Sequence, residues 1–89
     1  MIEREIEIRN KLGLHARAAA KLVTLASGFE SEVRLVRGSK QVNGKSIMGV
    51  MMLAAGRGTS IEIVADGRDE EEAVSRIEEL IQRRFGEEA

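Results

Sequence analysis

The sequence has no cysteine, proline, tryptophan or tyrosine, only two phenylalanines, and a single histidine, His15. Without cysteine, a disulfide framework and a thiolate metal site are both excluded, and one histidine is too few for a typical zinc site. With so few aromatic rings, a stacking platform for single-stranded nucleic acid is not expected. We therefore expect no metal and no cofactor.

Long apolar runs are also missing, and the first residues, 1–5, combine two apolar with three charged side chains. This start lacks the apolar core of a signal peptide or a membrane span. With 89 residues, 43% of them hydrophobic and 33% charged, the composition predicts a single globular domain over 1–89. We expect a soluble, cytoplasmic monomer that does not insert into membranes.

The net charge of −1 is spread unevenly along the chain. Residues 1–50 hold nine basic and five acidic side chains, and residues 51–89 hold five and ten. A basic half can bind nucleic acid, but Arg9, Lys11, Arg17 and Lys21 lie close to His15 in the sequence, and this suits a single phosphoryl group at least as well. A plain solvated face is the third interpretation.

Apolar and polar residues alternate with a period of two in three segments, which is typical of strands with one buried face. A fourth short strand is predicted after the turn at Gly38-Ser39. Val64 makes the last alternation imperfect. The inward residues are predicted to be Ile2, Ile6 and Ile8 in the first strand, Val33 and Leu35 in the second, and Ile61, Ile63 and Ala65 in the fourth; the short third strand is predicted over Lys40-Gln41-Val42.

Three helices are predicted by apolar residues at helical spacing. The first runs from 16 to 27 before Gly28, the second is short and capped by Ser46, and the third begins with a capping box of Asp69 and Glu72. The stripes predicted to face the core are Ala16, Ala19, Ala20, Val23 and Ala26 in the first helix and Ala73, Ile77, Leu80, Ile81 and Arg84 in the third. The resulting order, βαββαβα, favours an α+β fold with helices on one face of an antiparallel sheet.

His15 lies at the predicted start of the first helix, where unpaired N–H groups and partial positive charge favour phosphate. As a nucleophile the imidazole must be neutral, and the helix end together with Arg17 disfavours the imidazolium form. No Asp or Glu lies between Ile8 and Phe29, so a base that could activate water for hydrolysis would have to come from elsewhere in the fold. By position alone, an exposed helix cap is the favoured interpretation of His15, and only the surrounding motif reverses that preference.

Two motifs resemble the HPr family of histidine phosphocarriers from the sugar phosphotransferase system. Gly13-Leu14-His15-Ala16-Arg17 is similar to the signature around the family's active histidine, and residues 45–51, Lys-Ser-Ile-Met-Gly-Val-Met, are similar to its regulatory serine site. The resemblance covers nearly the whole chain. It implies an open-faced β-sandwich, with four strands in the order 1-4-2-3 covered on one face by three helices.

The resemblance also implies a function. His15 would accept a phosphoryl group on Nδ1 from Enzyme I, which phosphoenolpyruvate charges, and pass it to an EIIA domain, with Arg17 assisting. The protein would thus be a phosphotransfer intermediate rather than a stand-alone enzyme. Ser46 would be the target of an HPr kinase/phosphorylase, and transcriptional regulators would be further partners. The docking surface would comprise Arg17, Ala20, Ile47, Met48, Gly49 and Met51.

One residue departs from the family pattern, because the family usually has proline where this chain has Ala18. Alanine restores a backbone N–H and favours helix, so loss of the fold is not expected. Three alternatives stay open. Residues 10–17 also resemble the motif of nitrogen-related carriers, which is the first alternative. The second is a small basic-faced binding module without phosphotransfer, and the third is a hydrolase acting on phosphorylated substrates.

Overall fold

The computed structural model describes residues 1–88, in which four strands form one antiparallel sheet with the order β1-β4-β2-β3. The central strand β4 pairs Ile61 with Ile6 on one side and Ile63 with Leu35 on the other. The predicted α+β class and strand order 1-4-2-3 are confirmed. The strands are β1, Ile2–Glu7; β2, Glu32–Arg37; β3, Lys40–Asn43; and β4, Ser60–Asp66.

The inner face of the sheet follows the predicted alternation, since Ile6, Val33, Leu35, Ile61 and Ile63 are all buried. The irregularity at Val64 has a physical basis in the register. Val64 lies opposite Glu3 of β1 and Arg34 of β2 on the outer face, and it is nonetheless buried. Long charged side chains can cover an apolar neighbour with their aliphatic stems while their charged ends stay in water.

Three helices complete the fold, namely α1, Ala16–Ser27; α2, Ile47–Met52; and α3, Glu70–Gln82, and a short 3₁₀ turn follows at Arg84–Gly86. Helix α3 packs on β1 and β4, and α1 contacts both other helices. Buried side chains from the sheet and the helices form one core. None of the helices within residues 1–88 is long and apolar enough to cross a membrane.

The predicted inner face of α1 was partly wrong. Ala19 and Ala26 are buried as expected, but Ala16 is exposed and Ala20 and Val23 are only partly buried. Five of the twelve residues of α1 are alanines, which makes the periodic signal weak. The helix is oriented so that the larger Leu22 is fully buried, because burying it removes more apolar surface from water than burying an alanine. The residues of α1 that are buried are Ala18, Ala19, Leu22 and Ala26.

The capping box predicted for α3 was also wrong. Asp69 is the N-cap, but its side chain makes no capping hydrogen bond. Instead its carboxylate accepts hydrogen bonds from the backbone N–H groups of Glu30 and Ser31 and from the Ser31 hydroxyl. The carboxylate of Glu70, rather than that of Glu72, accepts from the N–H group of Gly67 at 3.0 Å. A long-range contact to the loop before β2 thus replaces the local cap.

The core-facing stripe of α3 agrees with the prediction at Ala73, Ile77 and Ile81, which are buried together with Val74. Leu80 is only partly buried. Arg84 lies beyond the helix end and is exposed, so its place in the stripe was wrong. The departure of the chain from helical geometry just before this residue redirects the C-terminal residues toward the site described below.

Candidate functional site

A tight loop over residues 10–14 delivers the chain to the start of α1. Gly13 has a left-handed backbone (φ +67°), and a Cβ there would lie 2.5 Å from the carbonyl oxygen of Ala55, which accepts a hydrogen bond from Leu14 N–H at 2.9 Å. The buried Asn10 closes the loop by donating from Nδ2 to the Gly13 carbonyl at 2.7 Å. Residue 13 must therefore be glycine. The closed loop fixes the point at which the helix begins, and with it the position of His15.

His15 is the N-cap of α1, with an extended backbone, and its imidazole makes no capping hydrogen bond. Its carbonyl accepts from Ala19 N–H at 2.8 Å, the first hydrogen bond of the helix. The N–H groups of Ala16, Arg17 and Ala18 precede that bond and have no intrahelical acceptor. The start of α1 therefore carries the partial positive charge and free donors that bind anions.

A carboxylate from the far end of the chain meets the imidazole. Glu87 Oε2 lies 2.7 Å from His15 Nε2, and Glu87 Oε1 accepts from Asn10 Nδ2 at 3.1 Å. Both side chains of this contact are largely covered, with exposed fractions of 27% for His15 and 17% for Glu87. The hydrogen bond from His15 holds the pKa of the Glu87 carboxyl below its usual range; desolvation opposes this effect, and Asn10 reinforces it.

Glu87 reaches this position because the chain reverses direction after α3. Arg84 and Phe85 adopt left-handed backbones (φ +57° each) and Gly86 follows at φ +79°. The Phe85 ring is buried in the core, and its carbonyl accepts from Lys21 Nζ at 2.6 Å. We call residues 83–88 the C-terminal strap.

Sequence reasoning missed both Asn10 and Glu87 as residues of the site. Asn10 gave a weak local signal, since an asparagine three residues before a glycine is typical of a turn. Glu87 gave none, because it lies 72 residues from His15 along the chain. The carboxylate that the local sequence lacks is thus supplied by the fold.

The predicted basic cluster divides between different places. Arg17 is exposed in the first turn of α1, and none of the ion pairs within residues 1–88 involves it. Lys21 donates a hydrogen bond to the C-terminal strap, at the Phe85 carbonyl. Arg9 lines a separate groove with Arg57 and Arg84. Of the predicted cations, Arg17 is thus the one in the helix turn that His15 begins.

Ser46 begins α2 as predicted, and its Oγ accepts from the backbone N–H of Gly49 at 3.1 Å. Gly49 allows this approach, since a Cβ there would lie 3.4 Å from Ser46 Oγ and 3.3 Å from the Asn43 carbonyl. The other end of α2 is held by the β2–β3 hairpin. Arg37 donates to the carbonyls of the C-cap residue Leu53 and of Ala54, which follows it. Lys40 donates to the carbonyl of Met52 at 3.3 Å, an acceptor that the helix end leaves unpaired.

The exposed apolar side chains of α2 form a surface that we call the α2 patch, defined as Ile47, Met48, Met51 and Met52. Their exposed fractions are 46%, 74%, 41% and 67% respectively. All four are exposed in the structure, and Val50 is the buried residue of the helix. Flexible methionines on a surface are suited to contacts with several partners. Ala20 of α1, the helix next to α2, is partly exposed.

The fold and the histidine at the start of α1 define a small α+β protein of the phosphocarrier type, and comparison with known proteins identifies the family. The family model described as PTS HPr component phosphorylation site matches residues 2–83. The chain is 55% identical over 87 residues to the phosphocarrier protein HPr of Cupriavidus necator, covering 98% of each chain. It is 43% identical over 86 residues to the phosphocarrier protein NPr of Shewanella violacea, covering 97% of this chain and 94% of the relative.

Its structure matches that of HPr-C-His from Thermoanaerobacter tengcongensis with a TM-score of 0.96 and 48% identity, over the full length of both chains. The chain belongs to the HPr family of phosphocarriers of the phosphotransferase system. This membership favours the phosphocarrier over the binding-module and hydrolase alternatives.

Proposed function

We propose that His15 carries a phosphoryl group on Nδ1, which it receives from Enzyme I charged by phosphoenolpyruvate and passes to an EIIA domain. The observation that carries this proposal is the arrangement of the two ring nitrogens. Nε2 is hydrogen-bonded to Glu87, and neither ring nitrogen forms a capping hydrogen bond with α1. Nδ1 therefore keeps its lone pair for attack on phosphorus.

Transfer is a substitution at phosphorus. The lone pair of Nδ1 forms the new P–N bond as the bond between phosphorus and its donor atom on Enzyme I breaks, and the bonding electrons leave with the donor. When EIIA accepts the group, its acceptor atom forms the new bond to phosphorus, the P–N bond breaks, and the electron pair of that bond returns to Nδ1. No water takes part, and histidine is one of the side chains that form covalent intermediates of this kind.

The start of α1 stabilises the phosphorylated state. The N–H groups of Ala16, Arg17 and Ala18 and the guanidinium of Arg17 supply donors and positive charge. A helix end contributes up to ~2 kcal/mol in partly buried geometry, and a hydrogen bond to a charged group about 1.5–3 kcal/mol. These moderate sums suit a group that must leave again.

Ala18 does not weaken this site. It is fully buried within α1, and the helix begins at Ala16, so the helix start forms without the proline that the family usually has. Its N–H precedes the first intrahelical hydrogen bond, the one from Ala19 to the His15 carbonyl. This chain accordingly offers one more backbone donor near the phosphoryl group than a proline would allow.

Ser46 is proposed as a regulatory phosphorylation site for an HPr kinase/phosphorylase. Its Oγ is partly exposed at the start of α2, beside the α2 patch, so an added dianion changes the charge of the patch's edge. Negative charge is tolerated at a helix start. We therefore expect phosphorylation to alter partner docking while leaving the fold intact.

The surface proposed to dock Enzyme I, EIIA and transcriptional regulators comprises the exposed residues near His15 and on α2. It contains Arg17, Ala20, Ile47, Met48, Gly49 and Met51. Exposure of the α2 patch supports this assignment. We further propose a cytoplasmic monomer, and a sugar-system rather than a nitrogen-related carrier, since the identity is higher to the HPr relative than to the NPr relative.

A relay assay tests the phosphocarrier proposal. Labelled phosphoenolpyruvate and Enzyme I are incubated with an EIIA domain, with or without this protein. Label is expected on EIIA only when the wild-type chain is present, and not with His15→Ala. Transfer that persists with His15→Ala would refute the assignment of His15. For Ser46, ATP and the kinase are expected to label the wild type and not Ser46→Ala.

A further inference from the structure

The contact between Glu87 and His15 fixes more than the position of the ring. An ionised carboxylate can only accept hydrogen bonds, so the nitrogen that lies 2.7 Å from Glu87, Nε2, carries a proton. In the neutral imidazole that nucleophilic attack requires, the lone pair is therefore on Nδ1. We propose that Glu87 is a positioning residue that selects this tautomer of His15 and offsets the positive charge that phosphorylation of Nδ1 creates on the ring. This inference rests on the proposed function.

The carboxylate is itself held in place from its other side. Asn10 is fully buried, and its amide nitrogen donates both to the Gly13 carbonyl and to Glu87 Oε1. The loop that sets the position of His15 therefore also orients the carboxylate that binds the ring. Because both oxygens of Glu87 are engaged, rotation of the carboxylate away from Nε2 would break two hydrogen bonds.

The C-terminal strap is built to deliver this one side chain. Arg84 and Phe85 have left-handed backbones, which are unfavourable for residues with a Cβ. Other contacts must therefore stabilise this conformation. Burial of the Phe85 ring and the hydrogen bond from Lys21 to its carbonyl supply those contacts. An unconstrained tail would adopt no such conformation, which indicates that the reversal has a role at the site.

The chemistry gives the carboxylate a function at each step. When Nδ1 of the Nε2–H tautomer bonds to phosphorus, both ring nitrogens are substituted and the ring carries one positive charge, which the adjacent carboxylate offsets. When the group leaves, the P–N bond breaks and its electron pair returns to Nδ1. The proton stays on Nε2 throughout, so no other base is required.

The first test needs no partner enzyme and uses the full-length chain. ¹⁵N NMR of the His15 ring, at a pH where the ring is neutral, distinguishes a protonated from an unprotonated nitrogen. Glu87→Gln is compared with Glu88→Gln, which removes the same charge one residue away from an exposed side chain. In wild type, Asn10 and His15 bond to different oxygens of Glu87. Glutamine replaces one of these oxygens with an NH2 group, which donates and cannot accept, so one of the two contacts loses its acceptor.

We expect the two ring nitrogens of the wild type and of Glu88→Gln to give well separated shifts, with Nε2 protonated, and those of Glu87→Gln to move toward each other. Unchanged shifts in Glu87→Gln would overturn the proposal.

The second test measures the rate of phosphorylation by Enzyme I at limiting concentration. Glu87→Gln is expected to be slower than Glu88→Gln by about fivefold, the upper range for a partly exposed ion pair. Equal rates in the two variants would overturn the role of the carboxylate. Failure of the wild type to accept phosphate at all would contradict the proposed function instead, and the NMR comparison would still decide whether Glu87 sets the tautomer.

Discussion

Replacing Gly13 with alanine tests how the loop before α1 positions the site. A left-handed backbone costs a residue with a Cβ about 1–2 kcal/mol. The new methyl would also lie 2.5 Å from the Ala55 carbonyl oxygen and 2.7 Å from the Gly56 Cα, and overpacking of this kind costs about 1–3 kcal/mol. Gly13→Ala should therefore lower the free energy of unfolding by about 2–5 kcal/mol.

Gly38→Ala is the matched control, because Gly38 has nearly the same backbone angle (φ +59°) and nothing within 4 Å of its added Cβ. It should lose only the backbone part, about 1–2 kcal/mol. Urea denaturation of both variants measures the difference. Phosphorylation by Enzyme I should slow in Gly13→Ala, since the loop must shift, and stay at the wild-type rate in Gly38→Ala. Equal stability losses in the two variants would refute the crowding argument.

Three further predictions concern other parts of the molecule. Ala18→Pro should keep the fold and phosphate acceptance, because the Ala18 N–H precedes the first intrahelical hydrogen bond of α1; circular dichroism and the relay assay would show this, and loss of helix would contradict it. Ser46→Ala should lower the free energy of unfolding by about 1 kcal/mol, because the backbone N–H of Gly49 loses its acceptor, Ser46 Oγ. Urea denaturation measures this change, and an unchanged unfolding midpoint would argue against the cap. Asp69 has its pKa lowered from 3.8 to about 2, first by the Ser31 hydroxyl and then by backbone N–H groups. The stability from this carboxylate is present above pH 4 and is lost as the pH falls toward 2, so the unfolding midpoint of Asp69→Asn should depend less on pH in that range than the wild-type midpoint.

Much of the fold could be predicted from local patterns. Period-two alternation identified the strands because the longer strands bury mainly one face, as at Val33 and Leu35 in β2. Turn and cap residues such as Gly28 and Ser46 gave the helix ends. The strand order came from the family resemblance, since short alternating strands carry no information about their neighbours.

Other features depend on contacts that the local sequence does not encode. The face of α1 was misjudged because five of its residues are alanines, and of the neighbouring apolar residues Leu22 and Val23 only Leu22 is fully buried. Asp69 makes no capping hydrogen bond within α3, and its carboxylate instead accepts from Ser31, which lies 38 residues away in the sequence. In the site, His15 and Arg17 were found through their motif, whereas Glu87 arrives only because Phe85 is buried and the chain reverses after α3.

The central claim, that His15 carries the phosphoryl group, is tested most directly by intact mass. Wild-type protein and His15→Ala are incubated with Enzyme I and phosphoenolpyruvate and weighed before and after mild acid. The account predicts that the wild type gains one phosphoryl group, loses it in acid because the bond is P–N, and that His15→Ala gains nothing. No acid-labile gain on the wild type, or an equal gain on His15→Ala, would contradict it.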